Sequence, residues 1–279
     1  MSFLVHYPAA PLSAFVECFY TPTGPMPYAV ERVMPAPSAD LKINFGVALR
    51  ARSAGEGEIP ESLGESWCMG VWDEYHTVTW PDNPDYVGVR FRPGGAFAVL
   101  GVETGELANR VVALDAVLGR FAGEVRERLY EAGSARARFA VLEVLLTSAI
   151  RRWPDHSRIA PVLKALEASH GHVAVGALSQ SSGMSQKHLI TLFNRLVGVP
   201  PKTMGRLYRM QHLIDTLDIS RPVVWTEVAQ DHFYFDQAHF NKDFKRFTGH
   251  TPGEYLALRR RIAADTPGHA GHTRLLRAG

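Results

Sequence analysis

The chain has 279 residues, 46% of them hydrophobic, and a formal net charge of +2. At about 150 residues per domain this is material for two domains with real cores, and no run approaches the roughly 18 apolar residues of a membrane span: the closest, 139–150, contains Glu143. Cys18 and Cys68 are too few for a disulfide framework, with a single disulfide as the lesser alternative, and His6, Pro8 and Pro11 break any signal-peptide core, so a reduced cytoplasmic location is expected.

Residues 1 to about 112 read as turn-punctuated β structure. The runs 28–34, 41–49, 67–72, 75–80 and 86–91 are rich in β-branched and aromatic residues, and Pro81-Asp82-Asn83-Pro84 and Arg92-Pro93-Gly94-Gly95 mark turns. Such spacing predicts a small β-barrel or sandwich, with 53–64 as a mobile hairpin loop. From Leu114 the apolar period becomes helical. Leu118, Phe121, Val125 and Leu129 share a face of one helix, ended by Gly133, and Phe139, Leu142, Leu145, Leu146 and Ile150 line a second that stops before Pro154. Trp153-Pro154-Asp155-His156 predicts a linker. Beyond it Ser157 is placed to cap a helix carrying Ile159, Val162, Leu163 and Leu166, closed by Gly171. From Ala264 the tail shows no period, which predicts disorder over 263–279.

The charge follows the same division. Residues 1–156 hold 14 Lys and Arg against 19 Asp and Glu, net −5, whereas residues 157–279 hold 16 against 9, net +7. A basic half joined to an acidic half fits a chain with one nucleic-acid-facing domain, although a solvated basic surface gives the same count.

The basic half contains an internal repeat offset by 51 residues: Ser185 and Asp236, Leu189 and Phe240, Phe193 and Phe244, Arg195 and Arg246, Leu196 and Phe247, Gly198 and Gly249, Pro201 and Pro252. In each copy a Ser or Asp can cap a helix, apolar residues recur at cap+4, +8 and +11 as one buried stripe, and a Gly then a Pro end it. Each is preceded by a short helix, 173–180 or 223–230, and a tight turn, so each is a predicted helix-turn-helix. A helix over 202–217, with Leu207, Met210, Ile214 and Leu217 on one face, joins them.

Burial of those stripes leaves Gln186, Lys187, Ile190, Thr191 and Asn194 outward in the first copy, and Gln237, Ala238, Asn241, Lys242 and Lys245 in the second. Lys reaches guanine acceptors, Gln and Asn pair with adenine, and Ala and Thr methyls meet thymine methyls. Any one of these residues is ordinary on a solvated helix; the repeat makes them a DNA face. Arg195 and Arg246, near the helix ends, complete the candidate DNA-binding set.

These residues resemble the AraC/XylS family of transcription regulators over about 157–260. The match is tightest in Phe235-Asp236-Gln237-Ala238-His239-Phe240 and in Phe244-Lys245-Arg246-Phe247-Thr248-Gly249-His250-Thr251-Pro252 with Tyr255, and Arg209 occupies a family position. Ser179 stands where the family usually has Ala, and Phe233 where it usually has Gly; a Phe resists positive φ, which predicts an altered second turn. The stretches 14–17, 32–35 and 87–95 more loosely resemble the β-rich sensor-like domain of one branch of the family, which implies a regulatory or dimerising role.

No phosphate loop, nucleophile elbow or metal-ligand spacing occurs; His6 and His76 are isolated, and His269 and His272 lie in the tail. No cofactor, metal or catalytic residue is therefore expected. Trp67, Trp72, Tyr75, Trp80 and Tyr86 are either core or the lining of an effector pocket; Arg90 would bind an acid there if inward, but surface placement is favoured. The expectation is an α+β chain with a β-rich regulatory or dimerisation domain and trailing helices over 1–152 and an all-helical DNA-binding domain over 157–262. The expected partners are double-stranded DNA, a small-molecule effector, a second copy of the chain, and RNA polymerase if it activates.

Overall fold

The computed structural model describes residues 2–26, 29–61, 63–151, 154–265 and 275–277. The N-terminal half contains β1 (Ser2–His6), β2 (Val16–Thr23), β3 (Val30–Val33), β4 (Ala39–Asn44), β5 (Arg50–Ser53), β6 (Ser66–Met69), β7 (His76–Thr79), β8 (Tyr86–Phe91) and β9 (Val111–Ala113), with α1 (Gly95–Leu100) and a 3₁₀ turn, Thr104–Leu107, before β9. The strands form two antiparallel sheets: β1-β2-β8-β4-β6-β9, and a smaller one around β3-β7-β5. The sheets face each other without closing into a barrel.

Side chains alternate across a strand, and the central strands have no solvent face. Val87, Val89 and Phe91 of β8, with Leu41 and Ile43 of β4, pack toward the helices. Tyr86 and Arg90, with Asp40 and Lys42, turn toward the second sheet. Arg90 is thus inside, not on the surface: a strand covered on both faces leaves it no other place.

Three helices trail the sheets: α2 (Leu114–Leu118), α3 (Phe121–Glu131) and α4 (Ala135–Ala149). The single helix expected from Leu118 to Leu129 is broken at Gly119, whose φ of 58° and ψ of −141° lie outside the helical region. In α4, Phe139, Leu142 and Leu146 are buried, and Leu145 and Ile150 pack against the same core. The broad apolar stripe of α4, wide enough to serve as a dimer seam, is covered by the chain's own sheet and helices.

The C-terminal half comprises α5 (Pro154–Ala168), α6 (Val175–Ser182), α7 (Gln186–Leu196), α8 (Pro201–Thr216), α9 (Trp225–Asp231), α10 (Gln237–Thr248) and α11 (Pro252–Asp265). The first begins at Pro154 rather than after Ser157; Pro suits a first turn, where its missing N–H is not needed. Of the expected linker, Trp153 lies outside the described residues. The tail departs from expected disorder: Leu275–Arg277 forms β10, antiparallel to β3, where an open sheet edge offers unpaired backbone groups. Residues 266–274, 278 and 279 lie outside the described residues.

The helical core is not self-contained. Met34, Val71 and Phe97 of the N-terminal half join Phe193, Leu196, Met204, Phe240, Phe244 and Tyr255 in one buried cluster. Phe244 is central to it, with the Tyr255 ring edge-on at 5.3 Å and the Trp225 ring at 5.7 Å. Phe244→Ala is expected to cost about 3–5 kcal/mol of stability, measured by denaturant unfolding of the full chain.

Candidate functional site

The two units are built alike from capped helices. The Ser185 side chain accepts from His188 N at 3.2 Å, and the Asp236 carboxylate accepts from His239 N at 2.7 Å, each opening its helix. Leu189, Leu192, Phe193 and Leu196 are buried in α7, and Phe240, Phe244 and Phe247 in α10. Gln186, Lys187, Thr191 and Asn194 are exposed on the first, Ile190 less so at 38%, and Gln237, Ala238, Asn241, Lys242 and Lys245 on the second. His188 and His239 are exposed on the same segments.

The turns are also alike in backbone, although Phe233 stands where the first has Gly183. Gly183 has φ 65°, with its N–H donating to Gln180 O, and Met184 N donates to Ser179 O. In the second turn Phe233 takes the same left-handed conformation, φ 57°; its N–H donates to Gln230 O, and Tyr234 N donates to Ala229 O. The turn is therefore kept, not altered, despite the Phe. Its ring lies 4.4 Å from that of His172 and stays 71% exposed. The turns correspond at an offset of 50 residues and the helices at 51, so Phe235, 93% exposed, is the extra residue just before the Asp236 cap. The helix repeat concealed it; comparing the turn residues reveals it.

Two candidate residues point elsewhere. Arg246 donates through Nη2 to both carboxylate oxygens of Asp73, 3.0 Å each, in the loop between β6 and β7. Arg195 is half-buried, and its carbonyl accepts from Thr104 Oγ1 at 3.1 Å. Both lie on the flank nearest the N-terminal half, Arg246 still half exposed beside Asp73. Sequence reasoning passed over Asp243, which is buried on the stripe of α10 with Arg206 Nε 3.7 Å from its Oδ2. A carboxylate at an apolar position signals such a partner. Arg209 of α8 donates to Gly171 O at 3.2 Å and lies over the Tyr234 ring, tying the first unit to the second turn.

A second candidate site is a cavity of about 460 Å³ between the sheets. Trp67, Trp72, Trp80, Tyr86 and Arg90 line it; Tyr75 does not. Tyr75 precedes β7 and packs beside Gly249 at the end of α10, under the Arg32 guanidinium 4.6 Å away, while His76 takes the position facing the cavity. Asp40 accepts from Arg90 Nε and Nη2 at 3.2 Å each and from Tyr20 OH at 2.8 Å. Burial would raise this carboxyl, but the neighbouring Arg90 and Lys42 charges outweigh it and hold it at about 2. Burial lowers the Lys42 amine. Its Nζ lies 3.8 Å from Asp40 Oδ2, already engaged by Arg90 and Tyr20, and 3.6 Å from Met69 Sδ. Such contacts leave it ready for a better acceptor. Cys18 and Cys68 are free and buried.

Compared with known proteins, residues 4–113 match a domain of unknown function (DUF6597), and residues 178–258 match a helix-turn-helix domain. The F1 operon positive regulatory protein of Yersinia pestis is 29% identical over 86 residues, covering 31% of this chain and 28% of that protein. The chain thus matches less than a third of that relative's length. Among solved structures, ToxT from Vibrio cholerae O395 aligns over 86% of this chain and 97% of its own, with 10% identity and a TM-score of 0.42. The AraC-like transcriptional activator CuxR aligns over 77% and 86%, with 14% identity and a TM-score of 0.26.

A left-handed non-glycine residue costs about 1–3 kcal/mol, so Phe233→Gly is expected to raise the melting temperature. Gly183→Ala, with open space around its added methyl, is expected to lower it through φ alone. Burial, with His212, His172 and Arg209 nearby, lowers His232 to about 4, and burial lowers His76 to about 3. Below an unfolded value of about 6.5 the unfolded chain binds protons that the folded chain refuses. Stability is therefore expected to fall as pH drops from 6.5 toward 4 and to be insensitive to these groups above 7, as melting curves across that range will read.

Proposed function

We propose, from the premise that residues 178–258 are a helix-turn-helix domain of the AraC type, that the chain is a sequence-specific, non-enzymatic transcription regulator of the cytoplasm. The observation that carries this reading is the pair of like-capped helices, α7 and α10, which bury matching stripes and expose Gln, Lys, Asn and Thr along their outer faces. Each would enter the major groove of double-stranded DNA, the two on successive turns of one duplex face. Gln186, Lys187, Ile190, Thr191 and Asn194, with Gln237, Ala238, Asn241 and Lys242, would read bases; Lys245 would hold phosphate. No helix among the described residues is long and apolar enough to cross a membrane.

The inter-sheet cavity supports control by a small molecule. Its size suits a ligand with an apolar body, and Lys42 would engage an acceptor or anionic group on it. The Yersinia relative is named a positive regulatory protein, which supports activation, with RNA polymerase as a further partner. A homodimer would use a face other than the stripe of α4.

In-vitro selection of DNA bound by the full chain tests the reading. Binding is expected to weaken steeply with salt, as counterion release requires. Lys187→Ala and Gln237→Ala are each expected to lose about 1–3 kcal/mol of discrimination between selected and random DNA, whereas Lys245→Ala weakens all sequences alike. Absence of binding at low salt, or unchanged site preference in both of the first two variants, would overturn it.

A further inference from the structure

The N-terminal half grips the two recognition helices at equivalent places. On α10 the grip falls on Arg246, Thr248 and Gly249: Arg246 pairs with Asp73, Arg246 Nε donates to Asp73 O at 3.3 Å, Tyr75 N donates to Arg246 O at 3.4 Å, and Arg32 Nη1 donates to Thr248 O at 3.3 Å and contacts His250. On α7 it falls on Asn194, Arg195 and Gly198. Thr104 Oγ1 donates to Arg195 O, a methyl on Gly105 would stand 2.6 Å from Asn194 O, and one on Gly198 would stand 2.9 Å from Thr104 O. Arg195 and Arg246, and Gly198 and Gly249, are the same positions of the 51-residue repeat.

The two grips are joined. Asn109, just beyond the Thr104–Leu107 turn and at φ 54°, donates from Nδ2 to Asp73 Oδ1 and accepts at Oδ1 from Asp73 N, 3.0 Å each. Asp73 also lies 3.7 Å from Arg206 of α8, the helix that connects the two units. One mostly buried carboxylate therefore touches the second recognition helix, the connecting helix and the segment that holds the first. Charge-assisted, two-oxygen pairing of this kind fixes orientation as well as attraction. Its chain neighbour Trp72 lines the cavity.

We propose that Asp73 is the positioning residue that sets the separation and orientation of α7 and α10, and so the spacing between the two DNA segments the protein accepts. This rests on the DNA-binding reading above. The N-terminal half then defines site architecture without touching DNA, while the exposed side chains define sequence.

The test uses the full chain and a selected site into which one to three base pairs are inserted, or from which they are removed, between the two contacted segments. Each base pair turns the second segment away from its helix, so the wild type is expected to lose about tenfold or more in affinity per step. In Asp73→Ala the spacing penalties are expected to shrink to about two- to threefold, with tightest binding at the selected spacing reduced. Asp73→Glu keeps the carboxylate and is expected to retain most of the wild-type profile. Asn109→Gly keeps the backbone conformation, removes the bridging amide and is expected to relax spacing as well; it carries the test should Asp73→Ala fail to fold. A wild-type spacing profile in Asp73→Ala, or a uniform loss at every spacing, overturns the proposal while leaving the DNA-binding reading intact. Failure of the wild type to select any DNA overturns both.

Discussion

A carboxylate held between two domains must be paired, because stranding a charge away from water costs several kcal/mol. Asp73 meets that constraint with Arg246, Arg206 and Asn109, each from a different segment of the chain. The domain arrangement hangs on this: the loop between β6 and β7 keeps its place because α10 is there, and the end of α10 keeps its place because the loop is there. The Arg32 contacts beyond it, and the Thr104 contact on α7, extend the same surface. The basic charge of the C-terminal half is thus divided by address. Lys187, Lys242 and Lys245 remain in water, while Arg246 pairs with Asp73 of the acidic half and Arg206 lies between Asp73 and Asp243 of α10.

The same constraint shapes the interior of the sandwich. Strands β4 and β8 are covered on one side by helices and on the other by the second sheet, so the charged members of their alternation meet each other. Asp40, Lys42 and Arg90 come from adjacent strands at neighbouring register, Asp40 directly opposite Arg90. Two cations share one carboxylate, and Lys42 has the poorer share. A cavity walled by Trp67, Trp72 and Trp80 thereby acquires one cation with bonding capacity to spare.

Much of the C-terminal half was legible because its signals are local. A cap, a stripe at period 3.6 and a terminating Gly lie within a dozen or so residues, and they occur twice; Ser185 and Asp236 cap as their sequence implies. The runs holding β3, β4, β6, β7 and β8 were readable from β-branched and aromatic content; β5, Arg50-Ala51-Arg52-Ser53, and β9, three residues long, carry too little of it, and Pro8 and Pro11 break up the stretch between β1 and β2. Facing was the harder question. Arg90 reads as a surface residue until β8 is known to be central, and Tyr75 reads as a pocket aromatic until β7 is known to start one residue later. Arg246 carries no sequence mark that separates a phosphate contact from a partner for Asp73. Phe233 shows the limit of propensity: hydrogen bonds on both sides of the turn, repeated from the first unit, impose a conformation its side chain opposes.

The buried cluster that takes Met34, Val71 and Phe97 from one half and Phe193, Phe240 and Phe244 from the other ignores the boundary between them. What joins the halves is then an interface rather than a strand of backbone. A chain cut between residues 151 and 154 would keep its halves together as a noncovalent pair, the covalent link contributing mainly effective concentration. The two sequence regions can diverge in everything they expose, but at this seam a change of volume on one side must be answered on the other, so swapping in a foreign N-terminal half would carry a packing mismatch with it.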